Sequence, residues 1–526
     1  MGQDKKDHKK ELQFTRTLSP TNVLSLAVGC IIGWGAFVMP GSLFLKTAGP
    51  LGMAIGMSIG ALLMMIIAMN YGYMVNKFPV AGGEFEYAYK TFGRNHAFFC
   101  AWFLGLSYLS IVPLNATALG LIGRYMVPGL LEKGYLYSIA GWDVYLGEII
   151  FDSLALIFLA RLSIKGIKGS GKMQTYLAMT LIGTILLLTV VAIFSPRTSM
   201  SNLLPVFSSS MPPLKGIIAV VAIAPWAYVG FDTIPQASEE FNFSPKKARV
   251  IMICSIVFGG LMYIALNTIT AVVFPWQAFI ASAPKWATGA AVEALMGKAG
   301  LVILGVALIC AIFAGMIGFY MAASRLLFSM SRSKTLPKWF GKIHPEYKTP
   351  ANAIKFVFAV SIIAPWFGRE VLLWIVDMSS IGASIGYFYT SAATCKFVMK
   401  EKEGYTLIKI TSVLGILLSL GFIALLVVPT MPSFLSFPSW ISLLAWTIIG
   451  VVFYIMRRKS KIKAQMQVAF KQSSINNNGE ISIPIAIEDE GTEKCPLGLT
   501  EYDEKKCSQI GCIKMGCVYN REEKLE

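Results

Sequence analysis

The chain has 526 residues, of which 55 % are hydrophobic and 14 % charged, and its mean hydropathy is +0.62. That much apolar material exceeds what a water-soluble core can hold, which excludes an ordinary soluble domain and predicts a polytopic membrane protein. The net charge of +17 does not point to nucleic acid, because the basic residues sit at the ends of apolar segments instead of sharing one aromatic-studded face.

Residues 1–18 form a polar, basic segment with Lys5, Lys6, Lys9, Lys10 and Arg16. The apolar stretch that follows is long and has no small-residue cleavage site after a short core, so no cleaved leader is expected. Windows of at least about 18 apolar residues begin at 19–46, 50–76, 96–126, 146–164, 173–194 and 215–238. They continue at 249–275, 299–330, 352–368, 370–396, 405–429 and 436–456. Twelve spans over residues 19–458 are therefore expected. Turn chemistry separates them, as at Ala48-Gly49-Pro50, Pro79 to Gly83, Ser195-Pro196 and Thr430 to Pro432. Basic residues gather after every second span, for example Lys77, Lys90 and Arg94, then Lys165, Lys168 and Lys172, then Arg457 and Arg458. The positive-inside rule then predicts cytosolic termini. Trp102, Trp142, Trp276, Trp366 and Trp440 fall near span ends, where indoles anchor at headgroup level.

Span 1 carries Gly29, Gly33 and Gly35 within Val28 to Gly41, and each glycine costs about 1 kcal/mol of helix stability relative to alanine. Ala224 to Asp232 in span 6 is a second breaking segment, with Pro225 and Gly230. Paired interruptions in corresponding spans are the sequence pointer to a transporter site, whereas close small-residue helix packing is the competing explanation for each alone. An unwound helix presents amide donors on one half and carbonyl acceptors on the other, a pair complementary to a zwitterion. The amides of Trp34, Gly35 and Ala36 would hold a carboxylate and the carbonyls of Trp226, Ala227 and Tyr228 an ammonium, with Phe231 as an aromatic lid. Ile31, Gly33 and Gly230 complete the expected substrate-binding set.

These segments resemble the signatures of the amino acid-polyamine-organocation (APC) superfamily. Gly33-Trp34-Gly35, Phe37, Pro40 and Gly41 match its span 1 motif, and Pro79, Gly82-Gly83 and Tyr87 its motif between spans 2 and 3. Gly230-Phe231-Asp232 with Glu239-Glu240 and Pro245 resembles its span 6 pattern. Arg325, Phe328, Leu336-Pro337, His344-Pro345 and Thr349-Pro350 resemble its span 8 to 9 loop. The resemblance covers about residues 15–460 and implies an all-α membrane protein of the leucine-transporter fold, with a 5+5 inverted repeat, discontinuous helices 1 and 6, and two further helices. It also places Ser107 and Tyr108 of span 3 near the substrate. Trp34 departs from the small residue many relatives carry there, and is read either as a stacking platform or as packing. Neither the span 5 lysine of proton-driven relatives nor the span 8 hydroxyls of sodium-driven ones is present, so proton or sodium coupling stays open.

Asp232 is a candidate coupling carboxyl, with a structural alternative in which it holds the freed amides after the break. Asp377 reads as a capping or ion-pair residue. Glu84, Glu86, Glu239 and Glu240 with Arg94, Arg249 and Arg325 are candidates for an inner gate or for ordinary charge pairs. No catalytic constellation and no cofactor motif is seen, so an enzyme is not expected. Residues 459–526 turn polar and form a separate cytosolic, largely flexible tail. Its Cys495, Cys507, Cys512 and Cys517 are a weak candidate for metal or redox sensing, with no familiar short-spaced pair. The expected function is alternating-access transport of an amino acid across the cell membrane. Organic amine or polyamine exchange and a transporter-like nutrient sensor are the alternatives, and the expected partners are the small solute and the lipid bilayer.

Overall fold

The computed structural model describes Phe14 and residues 16–139, 141–166, 170–368, 370–401, 404–431 and 433–472, with only the backbone at 170, 370–373, 375, 377 and 456–472. The tail cysteines Cys495, Cys507, Cys512 and Cys517 and the side chain of Asp377 lie outside the described residues. Two units are distinguished, residues 1–454 and 455–526, and the description below concerns the first.

Helix α1 (Pro20–Ile31) starts on a reciprocal cap. Ser19 Oγ accepts from the Asn22 amide and Asn22 Oδ1 accepts from the Ser19 amide, both at 3.2 Å; such a cap contributes about 1 kcal/mol. The helix stops at Ile31 because Ile32 turns to ψ 62° and Gly33 is extended, and α2 (Trp34–Met39) begins after these two residues. Through a π-helical turn at Pro40–Phe44 the chain enters α3 (Leu45–Lys77), which kinks at Gly49. There φ is +74°, and a Cβ would lie 2.7 Å from the Ser208 backbone nitrogen, so glycine is required both by torsion and by the close chain. Pro50 follows, its missing amide donor cost-free at a helix start.

A short helix, α4 (Glu84–Phe92), separates α3 from the long α5 (Arg94–Met126). After α5 comes an antiparallel pair, β1 (Tyr135–Ile139) and β2 (Trp142–Tyr145), turning at Gly141. This hairpin corrects the all-α expectation: the molecule is mostly helical, with a small exposed sheet. Then follow α6 (Leu146–Lys165), α7 (Ser170–Phe194), α8 (Pro213–Ala222), the single turns α9 (Ala224–Ala227) and α10 (Thr233–Gln236), and α11 (Ala248–Val272). The rest comprises α12 (Trp276–Ala281), α13 (Ala287–Arg332), α14 (Ala351–Ser361), α15 (Glu370–Val398), α16 (Thr406–Val427) and α17 (Phe437–Gln472).

Among the described residues seven helical stretches are long and apolar enough to cross a membrane, which makes this a multi-pass membrane protein. The central position belongs to α5, buried from Cys100 to Ile122 and packed on α13 and α15. Helix α1 lies against α7, α11 and α13, while α3 packs on α8 and α11. Exposed Leu, Ile, Val and Phe side chains on α7, α11, α16 and α17 form the apolar outer surface, as a lipid-facing surface requires. Trp102 and Trp276 are buried rather than placed as headgroup anchors. Trp102 and Trp446 stack at 4.7 Å and each indole N–H donates to the other's carbonyl, and Trp276 donates to Pro205 O at 2.9 Å. An internal carbonyl gives these indoles the partner that headgroups would otherwise supply.

Candidate functional site

The two interruptions meet. Gly230 adopts φ +141°, and a Cβ there would lie 2.8 Å from the Ile31 backbone nitrogen and from Cys30 Cβ, so bare backbone of one break rests on the other. One turn away, a Cβ on Gly35 would lie 2.5 Å from Cη2 of Trp226 and 3.2 Å from the Tyr263 hydroxyl. Trp34 packs edge-on to Trp226, ring centres 6.0 Å apart. Ile31, Gly33, Trp34, Gly35, Trp226 and Gly230 therefore share one locus. Gly33 is the roomy point of it, with Asn115 Oδ1 at 3.7 Å from a Cβ built there and Cys30 O at 3.8 Å.

Several expected details differ. The Ala36 amide donates to Gly33 O at 3.3 Å, and Trp226 O accepts the Val229 amide at 3.2 Å, so one donor and one acceptor of the expected sets are already engaged inside the chain. Tyr228 points away from the junction: its hydroxyl donates to Met57 O at 2.8 Å, bracing α3. Ala227 is buried between these two residues. The half-helix after the break at 228–232 is only α10 and a 3₁₀ turn at Ser238–Glu240, because Pro235 removes a donor there and Ala237 ends the turn. Ser107 faces α15, its hydroxyl 2.9 Å from that of Ser379, and is not brought to the breaks.

Phe231 is fully buried beside the junction. It stacks on Tyr387 at 5.6 Å and meets Tyr71 edge-on at 5.4 Å, an aromatic layer under the locus. Beneath it is a polar knot of fully buried side chains. Asp232 Oδ1 accepts the Gly230 amide at 2.7 Å and Oδ2 accepts Tyr108 OH at 3.1 Å. The carboxylate thus holds a backbone amide freed by the break, the structural role weighed for it. Glu84 accepts from Tyr71 OH at 2.9 Å and from Gln236 Nε2 at 2.6 Å. Tyr71, Gln236 and Tyr387 carry no sequence motif of their own and become legible only through convergence of α3, α10 and α15.

Below the knot, the same face is closed by charge. Arg325 Nε donates to Glu240 Oε1 at 2.8 Å with both side chains buried, and Phe14 covers the guanidinium at 5.3 Å. Arg332 pairs with Glu239 at 3.2 Å, Glu239 accepts the Ala81 amide at 3.1 Å, and Glu86 accepts Ser329 Oγ at 2.6 Å. Leu18 bridges to Glu240 and Asn242 through backbone bonds of 3.0 Å. On the opposite side of the locus a cavity of about 410 Å³ is lined by Trp34, Trp286, Tyr125, Arg124, Lys46 and Lys285 among others. Arg124 pairs with Glu148 and lies over the Trp142 ring at 4.5 Å.

Two further residues at the junction escaped the sequence reading. Gln174 of α7 donates to Ala314 O of α13 at 3.0 Å and lies beside Gly29, tying three helices together. Asn115 of α5, buried and anchored by its Nδ2 to Ile111 O at 2.9 Å, turns its Oδ1 toward Gly33 and Gly315 without a partner among the described residues. No group of three His, Cys, Asp or Glu side chains able to hold a metal occurs among the described residues.

A membrane protein with two interrupted helices abutting between a sealed face and an open cavity is, by class, a solute transporter. The amino acid permease family matches residues 18–454, and the chain belongs to that family within the APC superfamily. It is 26 % identical to the methylthioribose transporter of Bacillus subtilis (strain 168) over 462 residues, 86 % of this chain and 96 % of the relative. Similarity to the branched-chain amino acid permease BcaP of the same organism is 24 %, covering 86 % and 95 %. The serine/threonine exchanger SteT of that organism is 25 % identical, covering 72 % and 82 %.

Proposed function

We propose that this chain is a secondary active transporter that moves amino acids across the cytoplasmic membrane by alternating access, with the solute held where the two interruptions meet. The observation that carries the reading is the approach of Gly230 to the Ile31 backbone together with the cover of Trp226 over Gly35. Small-residue packing accounts for either approach alone, whereas two paired breaks that bring their bare peptide groups together support a site between them.

Twelve spans in a 5+5 inverted repeat supply the frame, with both termini in the cytosol. The face closed by Arg325–Glu240 and Arg332–Glu239 is then cytosolic, and the cavity bounded by Trp34 opens outward. The solute carboxylate faces the amides of Trp34 and Gly35, and its ammonium faces the carbonyls of Ala227 and Tyr228. Rocking of α1, α2 and α8–α10 against α5 and α13 parts the Arg325–Glu240 contact and reverses access. Reconstituted protein given a panel of radiolabelled amino acids tests this. Uptake of at least one is expected, competed by amino acids and not by the matching decarboxylated amines. Competition by the amines alone, or by methylthioribose alone, would overturn the assignment of the carboxylate and ammonium poles.

A further inference from the structure

The knot of Glu84 and Asp232 contains more negative charge than its surroundings compensate. Both carboxyls are fully buried, and Tyr108 OH reaches each of them, at 3.1 Å from Asp232 Oδ2 and 3.4 Å from Glu84 Oε1. Their remaining partners are neutral: the Gly230 amide, Tyr71 and Gln236. The other titratable groups facing the pair are Glu86 and Tyr87 on α4, Cys100 on α5, Tyr387 on α15 and Cys30 on α1. Arg325 pairs with Glu240, Arg332 with Glu239 and Lys77 with Glu401, and Arg94 donates to Ser333 O at 3.1 Å, so none of these four cations is hydrogen-bonded to Glu84 or Asp232. Two adjacent buried carboxylates without a counter-ion cannot both stay ionised.

Which acid is neutral follows from the donors. Asp232 receives a backbone amide at 2.7 Å and a tyrosine hydroxyl, both suited to an anion. Glu84 instead faces an amide group that can serve either protonation state. Gln236 is fully buried, its Nε2 touches Glu84 Oε2, and its Oε1 has no partner among the described residues. Turned over, that amide presents Oε1 to the carboxyl and accepts a proton from it.

We propose that Glu84 is the proton-binding site of this transporter, ionised and protonated in alternation as Gln236 and Asp232 move against it. The inference rests on the transport reading above and adds the driving ion. Glu84 sits on α4, between two membrane-crossing helices, while Gln236 and Asp232 sit after the break at 228–232. When that segment swings away from α5, water reaches Glu84 from the Arg325–Glu240 side. The Glu84 O–H bond then breaks, its electron pair stays on the carboxylate, and the proton leaves on water. Burial first, and the Asp232 charge second, raise the Glu84 carboxyl well above the usual carboxylate range, so the proton is retained near neutral pH until the cluster opens.

Infrared difference titration of the full chain in lipid, with no solute added, tests the site through the carbonyl stretch of an unhydrated carboxylic acid. The wild type is expected to give such a band that disappears as pH rises, and Glu84→Gln to abolish it. Asp232→Asn should move the midpoint to lower pH by removing a neighbouring negative charge, and Tyr71→Phe to higher pH by removing a donor to the ionised form. A purely structural Glu84 would move neither midpoint. A wild-type minus Glu84→Gln spectrum without a carboxylic-acid band overturns the proposal, as do midpoints unmoved in monodisperse Tyr71→Phe and Asp232→Asn protein. An absence of uptake across the amino acid panel would sink the transport reading instead, and the infrared result would still decide the protonation of Glu84.

Discussion

At Gly35 and Gly230 glycine is required for different reasons. Gly35 has no torsional need for glycine; it is bare because Trp226 lies on it, whereas Gly230 needs both a positive φ and room for Ile31. The sequence made both visible as helix breakers, since glycine and proline in an apolar run carry a cost that only a specific surrounding repays. It did not reveal Asn115, Gln174 or Gln236. A lone amide in an apolar helix has no spacing to recognise, and its meaning comes from what other helices bring to it. The cluster of Lys77, Tyr73 and Glu401 links stability to pH. Lys77 Nζ and Tyr73 OH both donate to Glu401, at 2.9 and 2.8 Å, and the hydrogen bond from Lys77, followed by that from Tyr73, lowers the Glu401 carboxyl. A depressed folded-state value means the contribution is complete above the unfolded value of about 4.3 and is lost as pH falls through the folded one. Glu401→Gln should therefore lower the thermal midpoint slightly near neutral pH, in keeping with ~0.2–1 kcal/mol for a half-exposed pair. The difference should vanish in acid, and a difference that persists there would contradict the assignment.

Elements were legible where hydropathy or punctuation marked them. Each of the expected apolar windows contains helix, and the turn expected at Ala48 to Pro50 is the kink of α3. The hairpin of β1 and β2 was missed, although aromatic and β-branched residues flank Gly141, because a window tuned to long apolar runs passes over short exposed strands. The second half of the span 6 segment, cut short at Pro235 and Ala237, went unrecognised for the same reason: one turn and a 3₁₀ turn leave no periodic signal. That shortness makes Glu239 and Glu240 part of the interrupted segment, so the Arg325 pair ties that segment to α13. Removing Glu240 leaves a buried guanidinium without its carboxylate, a loss of about 3–5 kcal/mol to the closed arrangement. In a background with the native cysteines replaced, Ser238→Cys should label slowly, since Ser238 is buried and bonded to Val80 O at 2.9 Å. Adding Glu240→Ala should raise the labelling rate severalfold, and an unchanged rate would show that the pair does not hold this face shut.

For the molecule as a whole, composition settled the membrane class and motif order the family, yet both are silent on how the polar interior is divided. Charge on one face is paired and sealed, the cavity on the other is lined by Trp34, Arg124, Lys46 and Lys285, and the broken helices lie between. The alternating-access reading proposed above requires a site closed on one side and open on the other, whereas a purely structural use of glycine does not. The central claim of the proposed function is that a solute is held by the amides of Trp34 and Gly35, where Trp226 covers the glycine. Binding of radiolabelled amino acids to purified Gly35→Val and wild-type protein in lipid, with thermal midpoints measured alongside, tests it most directly. We expect the variant to stay folded and to lose at least about tenfold in affinity, the effect of ~1.4 kcal/mol, because its side chain displaces Trp226 and blocks the backbone. Folded Gly35→Val protein that binds amino acids as tightly as the wild type would contradict the account.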